Sequence, residues 1–210
     1  MALGVSAADQ TALEATVESL TAGQTALTTF LTQSPTPANV IFGITSQLLT
    51  DTIAERNHVV VDQATLATAR ATGQLDALNP FVRSPAQLDK DIAFVQFILG
   101  QGPRPQGVAA SVQSLPEREA FLSTISQASL TSAEQALISL AKQEIAAERL
   151  YWEFLRDVDL PGDQALLNKT SAETGEQLLT RKEKRTNLAI DYLNLSVQFM
   201  EMSFTVNIAP

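Results

Sequence analysis

The stretch "LAIDYLNLSVQFMEMSF", residues 188–204, decides the fold class of this 210-residue chain. Apolar residues recur in it at alternating steps of four and three, forming a seam of Leu188, Tyr192, Leu195, Phe199 and Met202. That spacing places the five side chains on one face of an α-helix, and such a face has to pack against other helices. The pattern predicts a long helix from about Ser171 to Phe204 that belongs to a bundle.

The rest of the chain shows the same helical periodicity between short breaks. We expect further helices over about 8–32, 38–73, 84–99, 116–127 and 131–158. The segments "QSPTPAN", "GQGPRPQG" and "DLPGD" are expected to separate helices, because proline lacks an amide hydrogen and glycine favours turns. The predicted fold class is therefore all-α, an up-and-down type bundle of five or six helices with short connections.

The predicted helix over 38–73 carries two apolar stripes. One stripe runs through Ile41, Ile44, Leu48, Val59 and Leu66, and the other through Phe42, Leu49, Ile53, Val60 and Ala67. A helix that is apolar on two sides usually lies between neighbours. We therefore expect this helix to be covered on both sides.

One domain is expected to include all of residues 1–210, since this length fits a single domain. Its core bundle is predicted over about 8–204, followed by a short extended apolar tail over 205–210. The tail sequence "FTVNIAP" departs from the helical spacing. A lone strand is unstable in water, so an extended tail has to pack on its own domain or on a neighbour.

Composition narrows the function classes. The net charge of −9 and the pI near 4.6 argue against a nucleic-acid partner, because phosphate binding requires a basic face. The basic run "RKEKR", residues 181–185, is interrupted by an acid and is predicted to be a solvated face. The chain has no cysteine, which excludes disulfides, cysteine-ligated metals and thiol catalysis.

The sequence offers no targeting or membrane segment that we recognise. Its start, "MALGVSAADQ", lacks the basic and apolar regions of a signal peptide, and no window has about 18 uninterrupted apolar residues. We expect no membrane span, and a location in the cytoplasm or in an assembled particle.

Acidic residues at helical spacing provide one candidate metal site. The stretch "DTIAERNHVVVD", residues 51–62, places Glu55 three residues before His58, the chain's only histidine, on a predicted helix. Glu144 falls inside the apolar face of its helix and Glu148 at its edge, although a lone buried carboxylate is unfavourable. Bundles can hold iron or manganese between such carboxylates and histidine. A carboxylate-bridged metal protein, an oxidase or metal store, is therefore one hypothesis.

More ordinary explanations exist for the same residues. The row from Asp51 to Asp62 also fits a solvated stripe, and a salt bridge from Arg56 or Arg70 would satisfy Glu144. No nucleophile motif, dinucleotide fingerprint or second histidine supports an enzyme.

The leading hypothesis is a non-enzymatic structural or interaction protein, a helical bundle that self-assembles or docks on a protein partner. Only 18% of the residues are charged, against about a quarter in an ordinary soluble domain, and a surface of low charge is easier to desolvate at an interface. The candidate interface residues are Trp152, Met202, Phe204, Val206 and Ile208. A bundle that binds an apolar small ligand between its helices is a further alternative.

Overall fold

The computed structural model describes residues 38–208 except 111, 127 and 129, and it describes the side chains of 49–203 apart from these three, 76 and 77. Every regular element in the described residues is helical and none is a strand, so the all-α prediction is confirmed. The helix expected over 8–32 and residues 209 and 210 lie outside the described residues.

The described elements follow one another with short connections, except for the 16-residue segment 99–114 between the helices that end at Ile98 and begin at Leu115. In chain order they are α1 (Ala38–Thr72), a 3₁₀ helix (Leu75–Phe81), α2 (Pro85–Ile98), α3 (Leu115–Thr124), α4 (Ser132–Phe154), a π-helical segment (Leu155–Asp159), α5 (Leu160–Leu167) and α6 (Gly175–Ile208).

Helix α6 lies between α1 and α4, and packs extensively on both. The contacts of α6 with α1 run in opposite order along the two helices: Arg70 pairs with Glu183, whereas Thr52, earlier in α1, contacts Met200, later in α6. The contacts of α6 with α4 also run in opposite order. Tyr192 packs on Tyr151, whereas Ser196, later in α6, donates a hydrogen bond to Glu144, earlier in α4. Both neighbours are therefore antiparallel to α6, which makes α6 the central helix of the described bundle.

Three clusters of buried apolar side chains hold these helices together. The largest joins α2, α4 and α6 around Trp152, Leu193 and Phe94. A second lies between α4 and the end of α6, around Leu137 and Phe199. The third fastens α1 and the 3₁₀ helix to the start of α6 and contains Leu66, Ala69, Leu78, Phe81 and Leu179. Burial of such side chains supplies the main driving force for folding.

Two helix starts agree with the sequence patterns. Ser84 accepts a hydrogen bond from the amide of Gln87 and precedes Pro85, which suits the first helical position. At the start of α4, Thr131 and Glu134 form the capping box that their spacing predicts.

Two expected helix ends are wrong. The residues "DLPGD" do not stop α4: the backbone widens into the π-helical segment and continues as α5, with Pro161 in the first turn, where proline is tolerated. The extended tail expected over 205–210 is not seen over 205–208, because α6 continues to Ile208. No proline or glycine interrupts residues 176–208, so the helical ladder has no reason to stop at Phe204.

The two apolar stripes of α1 have different surroundings. Val59 and Leu66, on the first stripe, are buried against the bundle. Val60, on the second stripe, is 45% exposed, and its neighbour Val61 is 61% exposed. The expected cover on both sides is therefore found only in part: Leu49 of the second stripe packs on the Leu137 cluster, whereas the same side of α1 is exposed at Val60 and Ala67.

No helix among the residues that the structure describes is long and apolar enough to cross a membrane.

We predict that Leu66→Ala lowers the free energy of unfolding by about 2–5 kcal/mol, because Leu66 is fully buried between α1 and its neighbours. Thr65→Ala, at an adjacent exposed position, should change it by no more than about 0.5 kcal/mol. Urea unfolding followed by circular dichroism measures both. Equal effects of the two substitutions would contradict the placement of α1.

Candidate functional site

The most unusual feature of the interior is a group of buried charged side chains that joins three parts of the bundle. We name it the aspartate cluster, and it consists of Asp159, Asp163, Arg83, Arg181 and Lys182. Lys182 Nζ lies 2.9 Å from Asp159 Oδ1 and 2.7 Å from Asp163 Oδ1. Arg181 Nη1 donates to the same two oxygens at 2.8 Å. Arg83, from the loop before α2, approaches the other oxygen of each aspartate, at 2.6 and 2.9 Å.

Local backbone structure brings the two aspartates together. Asp159 ends the π-helical segment and Asp163 lies four residues later in α5, so both side chains point to the same side of one continuous helical rod. Gly162 lies between them, and a Cβ there would come within 2.5 Å of Arg181 Cζ. Glycine at 162 therefore allows the guanidinium of Arg181 to pass close to the backbone.

The charges of the aspartate cluster are balanced when three neighbouring residues are counted with it. Two further acids contact its arginines, Asp91 with Arg83 and Glu173 with Arg181, and Arg185 Nη1 lies 3.8 Å from Asp159 Oδ2. Four basic side chains, at 83, 181, 182 and 185, thus meet four acidic ones, at 91, 159, 163 and 173. This balance is what makes the burial of so many charges tolerable.

The cluster changes the proton affinity of its members. Burial on its own would raise the pKa of Asp159, but Lys182 and Arg83 outweigh it and hold that pKa well below the ordinary value. The pKa of Asp163 is lowered in the same way, chiefly by Lys182. Burial lowers the pKa of Lys182 to about 8, although Asp159 and Asp163 favour its charged form.

A second, separate ionic group lies between α3, α4 and α6. We name it the glutamate cluster, and it consists of Arg118, Glu144 and Glu148. Arg118 Nη2 donates to Glu144 Oε2 at 2.7 Å, and Arg118 Nη1 donates to Glu148 Oε2. The indole of Trp152 donates to Glu148 Oε1 at 2.8 Å, and the hydroxyl of Ser196 donates to Glu144 Oε1 at 3.1 Å.

One guanidinium therefore serves two buried carboxylates. Burial and the negative charge of Glu148 together raise the pKa of Glu144 to about 7, against the opposing effects of Arg118 and Ser196. The same surroundings act on Tyr192, whose pKa is raised by burial and by the nearby acids Glu55, Glu148 and Glu144.

The structure brings together only part of the predicted metal site. Glu144 and Glu148 are adjacent, and Glu55 is buried near Tyr192, but His58 is exposed. Arg118 contacts both Glu144 and Glu148, so a guanidinium holds the place between them. Among the described residues, no three or more histidine or acidic side chains are arranged to hold a metal ion. The row from Asp51 to Asp62 is not a uniformly solvated stripe either, because Glu55 points into the bundle.

Three other expectations about charged and aromatic residues are corrected. The partner of Glu144 is Arg118, whereas Arg70 pairs with Glu183 on α6. The run "RKEKR" is not a solvated face, since its residues 181, 182 and 185 are buried. Trp152 is 1% exposed and packs edge-on against Phe94 and Tyr151, so it lies in the core and offers no surface to a partner.

The remaining interface candidates are placed only in part. Met202 is half-buried against the Leu137 cluster, and the side chains of Phe204, Val206 and Ile208 are outside the described residues. Their role in an interface stays a prediction.

An open groove of about 480 Å³ lies beside the π-helical segment. Its walls are Phe154, Val158, Glu173, Glu176, Gln177, Thr180, Arg181 and Lys184. Glu173 is engaged by Arg181, and Lys184 Nζ lies over the ring of Phe154 at 5.1 Å from its centroid. These lining residues do not include the paired nucleophile and base that covalent catalysis requires.

Two buried atoms at α6 find no hydrogen-bond partner among the described residues, Arg185 Nη1 and the hydroxyl of Tyr192. Buried polar groups usually bind ordered water when no protein partner is available.

We predict that Asp159→Asn lowers the free energy of unfolding by about 3–5 kcal/mol, because it leaves buried cations without compensation. Asp157→Asn, two residues away, removes an exposed pair with Arg156 and should leave stability unchanged. Chemical unfolding of both variants tests this contrast. A mild effect of Asp159→Asn would mean that the cluster is solvated in solution.

Acid should weaken the same cluster. The pKa values of Asp159 and Asp163 in the folded protein lie below the ordinary value of 3.8, so the unfolded chain binds protons first as pH falls. Their stabilisation is therefore complete above about pH 4 and is lost below it. Melting temperatures measured between about pH 2 and 5 should fall less steeply in Asp159→Asn than in the wild type. Parallel curves would contradict the assignment.

No family model, no curated protein and no solved structure matches this chain. Helical bundles carry many unrelated functions, so the fold class does not by itself indicate one. The side chains of the described residues are therefore the evidence from which a function can be proposed.

Proposed function

We propose that this protein is a non-enzymatic helical bundle whose activity is to assemble with further copies of itself. The observation that carries the proposal is the outer face of α1, the side turned away from α6. We name it the α1 outer stripe, and it comprises Asn57, Val60, Val61, Ala64, Thr68 and Ala71.

The composition of the α1 outer stripe is typical of a helix face that is buried in an interface. All six of its side chains are uncharged and exposed, and two of them are valines. An exposed helix normally carries charged and polar residues on the side that faces water. Here the charged Arg70 pairs with Glu183 on α6 instead, and Asp62 is half-buried.

The charge distribution favours contact at this stripe. A chain with a net charge of −9 repels its own copies unless the contact surfaces are neutral. The α1 outer stripe is neutral over about 20 Å of helix, counted from Asn57 to Ala71 at about 1.5 Å per residue. Uncharged residues there cost little to desolvate, which supports a second copy as the occupant.

The interior supports a structural role and not a catalytic one. Both ionic clusters consist of side chains that satisfy one another, with their donors and acceptors directed at protein atoms. Charge-compensated groups of this kind fix the position of helices, whereas active sites keep a reactive group accessible to substrate.

We predict that Val61→Glu weakens self-association by at least about tenfold, because it places a charge on the stripe of each copy. Leu150→Glu is the matched control: Leu150 is 58% exposed, against 61% for Val61, but it lies on α4. Native mass spectrometry and light scattering over a series of concentrations measure the oligomer fraction.

The outcomes separate the alternatives. A wild-type chain that stays monomeric at all concentrations would contradict the proposed function. A loss of assembly in Leu150→Glu with none in Val61→Glu would move the interface to α4 and overturn the role of the α1 outer stripe.

A further inference from the structure

The open groove beside the π-helical segment has one apolar wall and one polar wall. Phe154 and Val158 form the apolar wall, and Val158 is 44% exposed. The polar wall is one face of α6, on which four side chains recur at helical spacing: Gln177, Thr180, Arg181 and Lys184. The volume of about 480 Å³ falls in the range of small-molecule sites, about 300–1,000 Å³.

Both acids of the groove are engaged by arginines. Glu173 accepts hydrogen bonds from Arg181 Nε at 2.8 Å and from Arg181 Nη2 at 2.7 Å. Glu176 Oε2 lies 3.3 Å from Arg70 Nη1. Because the charges of both acids are compensated within the protein, the groove has little attraction for a metal ion or an amine.

The aspartate cluster holds the polar wall in place. Arg181 Nη1 donates to Asp159 and Asp163 at 2.8 Å, so its guanidinium is fixed from the side opposite the groove acid Glu173. The missing Cβ of Gly162 leaves room for that guanidinium. The groove is therefore largely formed before any ligand arrives, as small-molecule sites usually are.

Lys184 differs from the other charged side chains of the groove. It is exposed, and no acid in the described part of the chain forms an ion pair with it. Its Nζ lies 5.1 Å from the ring centroid of Phe154, so the ammonium is held beside the apolar wall. An uncompensated cation next to apolar surface offers the two attachments that an amphipathic anion requires.

We propose that this groove binds a small amphipathic monoanion, an apolar chain or ring that carries a single carboxylate. The apolar part of the ligand covers Phe154 and Val158, and its carboxylate pairs with Lys184. Removal of the apolar wall from water drives binding, and the ion pair orients the ligand.

The charge of the ligand follows from the cost of desolvation. A neutral apolar ligand would take water away from the ammonium of Lys184 without replacing it by a partner, which is unfavourable. An anion replaces that water by an ion pair, and one uncompensated cation suits one negative charge. This site is independent of the proposed self-assembly, because the groove and the α1 outer stripe share no residue.

Titration of the full chain with sodium octanoate tests the site, since octanoate joins a short apolar chain to one carboxylate. The matched neutral compound is 1-octanol. In amide NMR spectra, the signals of residues 154–158 and 177–184 should shift together and saturate with octanoate, and 1-octanol should bind about fivefold more weakly. Absence of saturation at these residues, or equal binding of the two compounds, would overturn the proposal.

Two variants at exposed positions separate the contributions of the walls. Lys184→Gln keeps a polar side chain but removes the charge, so it should weaken octanoate binding about fivefold and leave 1-octanol binding unchanged. Val158→Asp places a negative charge on the apolar wall, so it should weaken octanoate binding by at least about tenfold.

Lys142→Gln is the matched control, because Lys142 is an exposed lysine of α4 that does not line the groove. This variant should bind octanoate as the wild type does. Wild-type affinity in Lys184→Gln or in Val158→Asp would overturn the proposal. So would an equal loss of affinity in Lys142→Gln and Lys184→Gln, which indicates a general effect of net charge.

Discussion

The burial of charge on α6 is the constraint on which the rest of the structure depends. Lys182 is fully buried and Arg181 nearly so, and neither can be left without an acid in the interior. The aspartates that compensate them come from the π-helical segment and from α5, while Arg83 comes from the loop before α2. Three separate parts of the chain have to reach one point before any of them is stable there.

The need to pair these buried charges fixes the register of α6 against α5 more strictly than apolar packing does. Leucine and alanine seams tolerate a shift of one turn with a moderate loss of contact, because one methyl group can replace another. A shift of α6 by one turn against α5 would separate Lys182 from both aspartates and leave buried charges unpaired. The aspartate cluster therefore fixes the register at one end of α6. Further along α6, the Tyr151–Tyr192 contact and the hydrogen bond from Ser196 to Glu144 align it with α4.

The sequence predicts the helices better than their ends or their charged interior. The caps at Ser84 and Thr131 are local features, and the structure bears them out. The heptad seam of α6 is right in part, since Tyr192 and Phe199 are buried whereas Leu188, Leu195 and Met202 are half-buried. The prediction of a solvated "RKEKR" is wrong because charged residues with buried partners can themselves be buried, and these partners, Asp159 and Asp163, lie in "DLPGD", which itself resembles a helix stop. Glu144 could be identified as anomalous from its own helix, but its partner Arg118 is on another helix, and no periodicity connects the two.

The two ionic clusters differ in one property that determines how each responds to pH. The aspartate cluster, counted with its neighbours Asp91, Glu173 and Arg185, has four acids and four bases, and the pKa values of its two aspartates are lowered, away from neutrality. The glutamate cluster has two acids and one base, so burial dominates and the pKa of Glu144 moves up to about 7. Carboxylates buried beside cations thus keep their protons off in the aspartate cluster, where cations are as many as acids. In the glutamate cluster one cation serves two acids, and the same burial favours the protonated form of Glu144.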